Sequence, residues 1–222
     1  MKENYLTKDN ISEKSDEWMD NLYIPSSRKK KFKFIPKDSA LLVVDMQEYF
    51  INEDSHAFLP AAKAIIPNIN KIIDEYRRLA FPIIFTYHAY SKDEKTGIMG
   101  RWWSDLPKTT DPLSKIHAGF NLKKEDIIIR KNRYSAFIDT NLDNILKEKN
   151  VVSLVITGIM THLCCESTAR DAFMKDYEVY FVIDATATET ENLHLSSLKT
   201  LTDGFVIPLK TDTILKEIKP LA

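Results

Sequence analysis

The sequence predicts an α/β fold: a three-layer α/β/α domain around a Rossmann-like, six-stranded, mostly parallel sheet. Short apolar, β-branched runs recur along the chain, and such runs are typical of strands buried on both faces. Segments with helical spacing of apolar residues lie between them, and this alternation places helices on both faces of the sheet. The 222 residues are enough for one sizeable core.

Each predicted strand and helix rests on its own pattern of apolar residues. The predicted strands lie at residues 40–45, 82–88, 126–131, 152–158, 178–184 and 204–209. The predicted helices lie at residues 61–79, 141–148, 163–176 and 191–201. In the first helix, Ile65, Ile69 and Ile73 recur every four residues, and Pro67 falls where a helix begins or kinks.

Residues 1–37 differ from the rest of the chain because they are mostly polar and contain two prolines. We expect them to form an extension that Trp18 and Tyr23 pin onto a main domain at residues 38–222. The basic cluster at residues 28–31 has no aromatic residues within it, so it indicates a solvated surface rather than a nucleic-acid site.

Net charge, the length of the apolar runs and the spacing of the cysteines exclude several classes of function. The formal net charge of −1 gives no basic field for nucleic acid or an anionic membrane surface. The apolar runs are too short to span a bilayer, and the N-terminus lacks the apolar centre of a signal peptide. These features predict a cytoplasmic protein that acts on a small molecule. The two cysteines are adjacent, which is not the spacing of a disulfide framework.

Three chemically distinct side chains follow predicted strands. Asp45 ends the first strand, Lys131 ends the third, and Cys164 opens the helix after the fourth. Because parallel sheets gather their sites at the carboxyl ends of strands, a base, a cation and a nucleophile should share one edge. A helix starting near Thr161 and the charge of Lys131 would both lower the thiol pKa.

Each of these residues also has a simpler role available. Asp45 could cap a helix, Lys131 could be solvated, and Cys164 could be a small buried residue. Their occurrence together favours thiol catalysis, in which Asp45 takes the thiol proton and later passes it to a leaving amine. Backbone N–H groups between Gly158 and Cys164 would hold the oxyanion.

The segments "VVDMQEYF", "KNRYSAF" and "VITGIMTHLCCESTARDAFMKDYEVYFVIDAT" resemble, in this order, the isochorismatase-like or cysteine hydrolase superfamily. The resemblance covers about residues 38–210. It implies the isochorismatase-like hydrolase fold, hydrolysis without a cofactor, and assembly into a homodimer or homotetramer.

The resemblance also implies residue roles. Asp45, Lys131 and Cys164 fall at the positions of the family's catalytic triad. The family's non-proline cis peptide would be the Ile159–Met160 bond. The backbone N–H groups of Met160 and Cys164 would then form the oxyanion hole.

One departure from the family concerns metal. The nicotinamidase branch carries an Asp and two His after its second strand, whereas "TYHAYSKDEKTG" supplies His88 and Asp93 but no second His. We therefore expect no metal, and nicotinamide is disfavoured as the substrate.

A second departure concerns the reaction. The N-terminal extension, "RYSAF" and His162 resemble isochorismatases, which lack the cysteine and protonate a vinyl ether from the Asp. Isochorismatases also carry a Tyr where this chain has Met160. The retained Cys164 favours cleavage of an amide or carbamoyl-type C–N bond. An isochorismatase and a non-catalytic binding protein remain the alternatives.

Several further residues are candidates for substrate contact. They are Gln47, His88, Arg101, Trp102, Trp103, Tyr134 and Phe137. Each candidate also has a simpler role. Gln47 could cap a turn, and Tyr134 and Phe137 could pack in the core. Residues 101–103 ("RWW") could be anchors at a subunit interface. Adjacent helical residues point about 100° apart, so Cys165 should face the packing side and resist alkylation.

Overall fold

The computed structural model describes residues 2–103 and 105–219, without the side chain of Lys29. The strands are β1 (Ser39–Val44), β2 (Ile83–His88), β3 (Ile127–Lys131), β4 (Ser153–Ile159), β5 (Glu178–Ala187) and β6 (Ile207–Leu209). They form one sheet in the order β3-β2-β1-β4-β5-β6, and every neighbouring pair is parallel. The predicted fold class is confirmed.

Helices cover both faces of this sheet. In the described residues they are α1 (Ile11–Asp20), α2 (Ser26–Lys31), α3 (Glu48–Ile51), α4 (Ala62–Arg78), α5 (Gly97–Trp102), α6 (Leu142–Glu148), α7 (Glu166–Met174), α8 (Glu191–Gly204) and α9 (Thr211–Ile218). Short 3-10 turns occupy Pro36–Asp38, Pro112–Ser114 and Ala118–Phe120, and a π-helical turn spans Thr161–Cys165. No helix in the described ranges is both long and apolar enough to cross a membrane.

The core is centred on β1 and β4, in which every residue is buried. Leu41 lies opposite Val155, and Val44 lies opposite Gly158. Strands with neighbours on both sides and helices on both faces have no solvent-facing positions, which explains their unbroken apolar sequences.

The structure differs from the predicted elements at several places. The region predicted as a helix at 163–176 begins with the π-helical turn before α7. Strand β5 runs to Ala187 because a register shift after Ile156 lets Ala187 pair with Ile159. Helices α1, α2, α3, α5 and α9 were not predicted, and α2, α3 and α5 are too short to show a clear periodicity.

The N-terminal extension packs against the main domain. Tyr5, Leu6, Trp18 and Leu22 belong to the same apolar cluster as the sheet. Tyr23 is 82% exposed, so the predicted anchoring by Tyr23 is wrong. The chain leaves α1 at Asn21 and turns Leu22 inward instead.

Candidate active site

Three predicted residues meet at the carboxyl edge of the sheet. Asp45 follows β1, and Cys164 lies in the turn after β4, its neighbour at the point where strand order reverses. Lys131 ends β3, so its side chain must extend past β2 to reach them. Its Nζ lies 2.6 Å from Asp45 Oδ2 and 3.2 Å from Cys164 Sγ.

Local backbone geometry places Asp45 at this edge. Its φ is +48°, in the left-handed region that Asp tolerates better than most residues. On the neighbouring strand, Gly158 has a φ of +106°, and a Cβ there would lie 2.1 Å from the carbonyl oxygen of Val44. A glycine is therefore required for β1 and β4 to approach each other beside the site.

Thr86 holds the carboxylate, a role that the sequence analysis missed. Its Oγ1 donates to Asp45 Oδ1 at 2.8 Å, and the Asp45 N–H lies 3.2 Å from the carbonyl oxygen of Thr86. Asp45 Oδ2 has no hydrogen-bond donor of good geometry, although the Lys131 ammonium lies close to it. One carboxylate oxygen is thus fixed, and the other can still accept a proton.

Lys131 is a buried cation. Its side chain is 0% exposed and that of Asp45 is 1% exposed. Burial alone would lower the pKa of Lys131, but the charges of Asp45 and Cys164 and their hydrogen bonds outweigh burial and raise it. Lys131 also donates to the carbonyl oxygen of Arg133 at 2.9 Å. The side chain therefore stays an ammonium ion at neutral pH.

The Cys164 thiol has a high pKa, contrary to the prediction of a lowered one. Burial raises the pKa of Cys164 to about 12, the charge of Lys131 opposes this shift, and Asp45 adds to it. The prediction was wrong because it weighed the cation and the helix but not the burial of a side chain that is only 5% exposed. The thiol of Cys164 is therefore protonated at neutral pH.

The turn that carries Cys164 is held by contacts on two sides. The Ile159–Met160 peptide bond is cis, and the N–H groups of Leu163 and Cys165 donate to the carbonyl oxygen of Met160. Thr161 Oγ1 lies 2.9 Å from His194 Nδ1, and His162 Nδ1 lies 2.6 Å from Thr188 Oγ1. We call residues 159–165 the catalytic turn.

A cavity of about 320 Å³ opens onto Cys164. Its walls are largely aromatic and aliphatic, and they include Tyr49, Phe50, Met99, Trp103, Tyr134 and Leu163. Trp103 Nε1 donates to the Tyr134 hydroxyl at 2.6 Å, which joins two of these walls. Lys2 and Glu189 also line the cavity, so the N-terminal extension reaches the site.

Among the predicted substrate contacts, His88, Trp103 and Tyr134 line the cavity. The His88 side chain is buried, and its Nε2 has no hydrogen-bond partner among the residues that the structure describes. Burial, followed by the charge of Lys131, lowers the pKa of His88 to about 4, so the ring is neutral at pH 7. A neutral imidazole with a free nitrogen is available to a substrate.

The other four predicted contacts do not line the cavity. Gln47 uses its amide on the backbone, donating to the carbonyl oxygens of His88 and Ser114 and accepting from the His88 N–H. Arg101 is exposed, Trp102 is 73% exposed, and Phe137 is buried against Tyr177. Gln47 therefore joins the end of β2, where His88 lies, to the 3-10 turn Pro112–Ser114, and Phe137 packs in the core.

Tyr49, Phe50 and Leu163 are cavity residues that the sequence analysis missed. Each lies within a few residues of Asp45 or Cys164, so sequence proximity to the triad was a usable signal. Lys2 and Glu189 are far from Asp45 and Cys164 in the sequence, so proximity could not have identified them.

The described residues around His88 do not provide the Asp and two His that bind metal in the nicotinamidase branch. Within residues 2–103 and 105–219, no three His, Cys, Asp or Glu side chains cluster so that they could hold a metal ion. His88 faces Asp45 and Lys131, whereas Asp93 is exposed.

Comparison with known proteins places the chain in a family. The sequence profile of the isochorismatase domain matches residues 39–213. Nicotinamidase 3 of Arabidopsis thaliana is 36% identical over 185 residues, which cover 82% of this chain and 89% of that protein. Enterobactin synthase component B of Escherichia coli (strain K12) is 32% identical over 75% of this chain, and the match spans 58% of its length.

Solved structures agree with this placement. A cysteine hydrolase from Pseudomonas syringae pv. phaseolicola superimposes with a TM-score of 0.83 at 24% identity, covering 86% of this chain and 97% of that one. The parallel α/β/α fold is thus that of isochorismatase-like hydrolases. The chain belongs to the isochorismatase family, and it is a hydrolase of that family.

Proposed function

We propose that this protein is a cysteine hydrolase that cleaves an amide or carbamoyl-type C–N bond of a small substrate through a thioester on Cys164. The observation that carries the proposal is the buried ammonium of Lys131, which lies between the Asp45 carboxylate and the Cys164 thiol. A nucleophile, a base and a cation are the groups that thiol-based acyl transfer requires.

The first half of the reaction forms the thioester. Asp45 Oδ2 takes the thiol proton, and Lys131 stabilises the resulting thiolate. The thiolate attacks the carbonyl carbon, and the backbone N–H groups of Met160 and Cys164 hold the oxyanion. Asp45 then passes its proton to the nitrogen as the C–N bond breaks, so ammonia or an amine leaves.

The second half returns the enzyme to its starting state. Asp45 takes a proton from a water molecule, which attacks the thioester carbon. The C–S bond breaks, the acid product leaves, and Cys164 regains a proton. Asp45 therefore acts alternately as base and acid, and Lys131 keeps its charge throughout.

The high pKa of Cys164 favours this division of roles. A thiol that is protonated at rest becomes a strong nucleophile only when a base takes its proton, because the thiolate is the reactive form. Proton transfer to a carboxylate that shares the same ammonium creates no isolated buried charge.

The cavity supports a small substrate with a flat or apolar acyl group. Its volume of about 320 Å³ and its aromatic walls suit a ring or a short chain. The described residues hold no His, Cys, Asp and Glu cluster like that of the nicotinamidase branch, which disfavours nicotinamide, whereas the similarity to a protein named Nicotinamidase 3 is a reason to test it. A first panel should therefore contain nicotinamide beside neutral and charged small amides.

Ammonia release from this panel tests the proposal. Cys164→Ala should abolish turnover of any amide that the wild type cleaves. The matched control is Cys165→Ala, which removes the neighbouring buried thiol and should leave turnover within about twofold of the wild type. Activity that survives in Cys164→Ala would sink the proposal. Iodoacetamide should label Cys164 and spare Cys165, whose side chain is 0% exposed.

An isochorismatase is the second candidate, favoured by the match of residues 39–213 to the isochorismatase domain. In that reaction Asp45 would protonate a vinyl ether, with no covalent intermediate on Cys164. Pyruvate release from isochorismate, retained in Cys164→Ala and lost in Asp45→Ala, would support this candidate.

A further inference from the structure

His194 is a buried histidine that the proposed chemistry does not use. It lies on α8 with 0% exposure, and its Nδ1 is 2.9 Å from Thr161 Oγ1 in the catalytic turn. Among the described residues, its Nε2 has no hydrogen-bond partner. Burial lowers the pKa of His194 to about 3, so the ring is neutral, and its Nδ1 is paired with Thr161.

The N-terminal extension covers the other side of this histidine. The rings of Trp18 and His194 lie 4.4 Å apart between centroids. Trp18 Nε1 donates to Glu191 Oε1 at 2.9 Å, and Lys14 pairs with the same carboxylate at 2.9 Å. Helix α1 is therefore fastened to the first turn of α8, three residues before His194.

A second connection reaches the next residue of the catalytic turn. The Thr188 N–H donates to the Tyr5 hydroxyl at 3.1 Å, and Thr188 Oγ1 lies 2.6 Å from His162 Nδ1. The Glu3 N–H donates to the carbonyl oxygen of Glu189 at 2.8 Å. Two consecutive residues of the turn are thus linked to residues 2–22, which we call the N-terminal clamp.

We propose that His194 is a positioning residue for the catalytic turn and that the N-terminal clamp holds it in place. The clamp lies outside residues 39–213, the part that matches the family. Thr161 directly follows Met160, so fixing its side chain fixes the direction of the N–H groups proposed to hold the oxyanion. The inference rests on the proposed function, because it assigns His194 to the oxyanion step of that reaction.

Positioning matters strongly at such a step. Displacement of a reacting group by about 1 Å can cost about 10²-fold in rate. Removal of one oxyanion donor costs about 10² to 10³-fold. Loss of one hydrogen bond that aims the turn should have a smaller effect than loss of a donor.

Two reactions of Cys164 distinguish a positioning role of His194 from a general disruption of the site. Acylation by p-nitrophenyl acetate passes through an oxyanion: the C–S bond forms, the ester C–O bond breaks, and nitrophenolate leaves. Alkylation by iodoacetamide at saturated carbon displaces iodide and forms no oxyanion. A positioning role should therefore slow the first reaction and leave the second unchanged, whereas a misfolded site should slow both.

His194→Leu and Thr161→Val each remove the hydrogen bond between the two residues. We expect acylation to slow about 10-fold in either variant, with alkylation within about twofold of the wild type. The double variant should be no slower than either single variant, because both remove the same contact. His194→Asn keeps a polar atom at the δ position and should recover most of the acylation rate.

The clamp is tested with two tyrosines, Tyr5 within it and Tyr23 directly after it. Tyr5→Phe removes the hydroxyl that accepts from Thr188 and should slow acylation about threefold. Tyr23→Phe removes a hydroxyl from a side chain that is 82% exposed and should match the wild type. Trp18→Phe, which loses the bond to Glu191, should resemble Tyr5→Phe.

The outcomes are distinguishable. A wild-type acylation rate in His194→Leu, or equal slowing of acylation and alkylation, would overturn the positioning role. If Cys164→Ala instead keeps the wild-type nitrophenolate burst, the proposed thioester chemistry fails. Selective loss of acylation with rescue by His194→Asn supports the inference.

Discussion

The two ends of the sheet each hold a cavity, but the two cavities differ in kind. The one at the carboxyl ends measures about 320 Å³ and contains Cys164. The one at the amino ends of β5 and β6 measures about 390 Å³ and is lined by Arg28, Phe32, Phe173, Glu178 and Phe205, among others. The larger cavity is thus on the side opposite the triad.

The two ends of the sheet differ in their buried charge more than in the volume of their cavities. At the carboxyl end, Lys131 and Asp45 are charged and essentially unexposed. At the amino end, the Arg28 side chain is partly exposed and donates to the carbonyl oxygen of Thr202 at 2.6 Å. Buried charge is costly, so a protein that retains it uses it for something other than stability. The smaller cavity is therefore the better candidate site.

The largest expected effect comes from removing the buried carboxylate. Asp45→Asn cannot accept the thiol proton and leaves the Lys131 ammonium buried without a counter-charge. We expect turnover to fall about 10³-fold or more. The free energy of unfolding should fall by about 3 kcal/mol, measured by urea denaturation.

The double variant Asp45→Asn/Lys131→Met sharpens this result. It removes both charges from the carboxyl end, so the free energy of unfolding should recover most of the loss while turnover stays absent. If Asp45→Asn unfolds no more easily than the wild type, the contrast in buried charge between the two ends is wrong.

A smaller effect is expected at the aromatic wall of the carboxyl-end cavity. Tyr134→Phe removes the oxygen that accepts the Trp103 Nε1–H, so the wall loses its fixed geometry. We expect KM to rise about threefold to tenfold with kcat nearly unchanged. Steady-state kinetics on the best amide of the panel measures this split, and a fall in kcat alone would contradict it.

Two buried histidines near the carboxyl end predict a pH dependence of stability. The pKa values of His88 and His194 are about 4 and about 3 in the folded state, below the ordinary value of 6.5. As pH falls below about 6.5, the unfolded chain binds their protons first, so the folded state loses stability towards pH 4. Each histidine contributes about 1.4 kcal/mol per pH unit in this window.

His194→Asn isolates one of these contributions. The slope of the unfolding free energy between pH 6 and pH 4.5 should decrease by about 1.4 kcal/mol per pH unit relative to the wild type. His56→Gln is the control, because that side chain is 60% exposed. An unchanged slope in His194→Asn would mean that the buried ring is already protonated.

The smallest effect is expected at the amino end. Phe32→Ala removes a partly exposed ring from the larger cavity and should leave kcat/KM within about twofold of the wild type. A large loss of activity in this variant would break the distinction between the two cavities.

The sequence predicted the fold and the meeting of Asp45, Lys131 and Cys164 at one edge of the sheet because these depend on short-range patterns. Apolar runs indicated buried parallel strands, and strand ends indicated which edge would carry Asp45, Lys131 and Cys164. The thiol pKa was predicted in the wrong direction because burial depends on every neighbour, including residues far away in the chain. The His194–Thr161 contact spans 33 residues, and no local pattern shows it.

Lys131 stands on β3, an edge strand paired on one side with β2. Edge strands open more readily than central ones, since fewer hydrogen bonds must break. Local opening of β3 would withdraw the ammonium from Cys164 while β1 and β4 remain folded. Activity should therefore fade at lower urea than the main unfolding transition, and hydrogen exchange at Ile129 should be faster than at Val155. The working lifetime of this enzyme would then be set by its least protected strand rather than by its core.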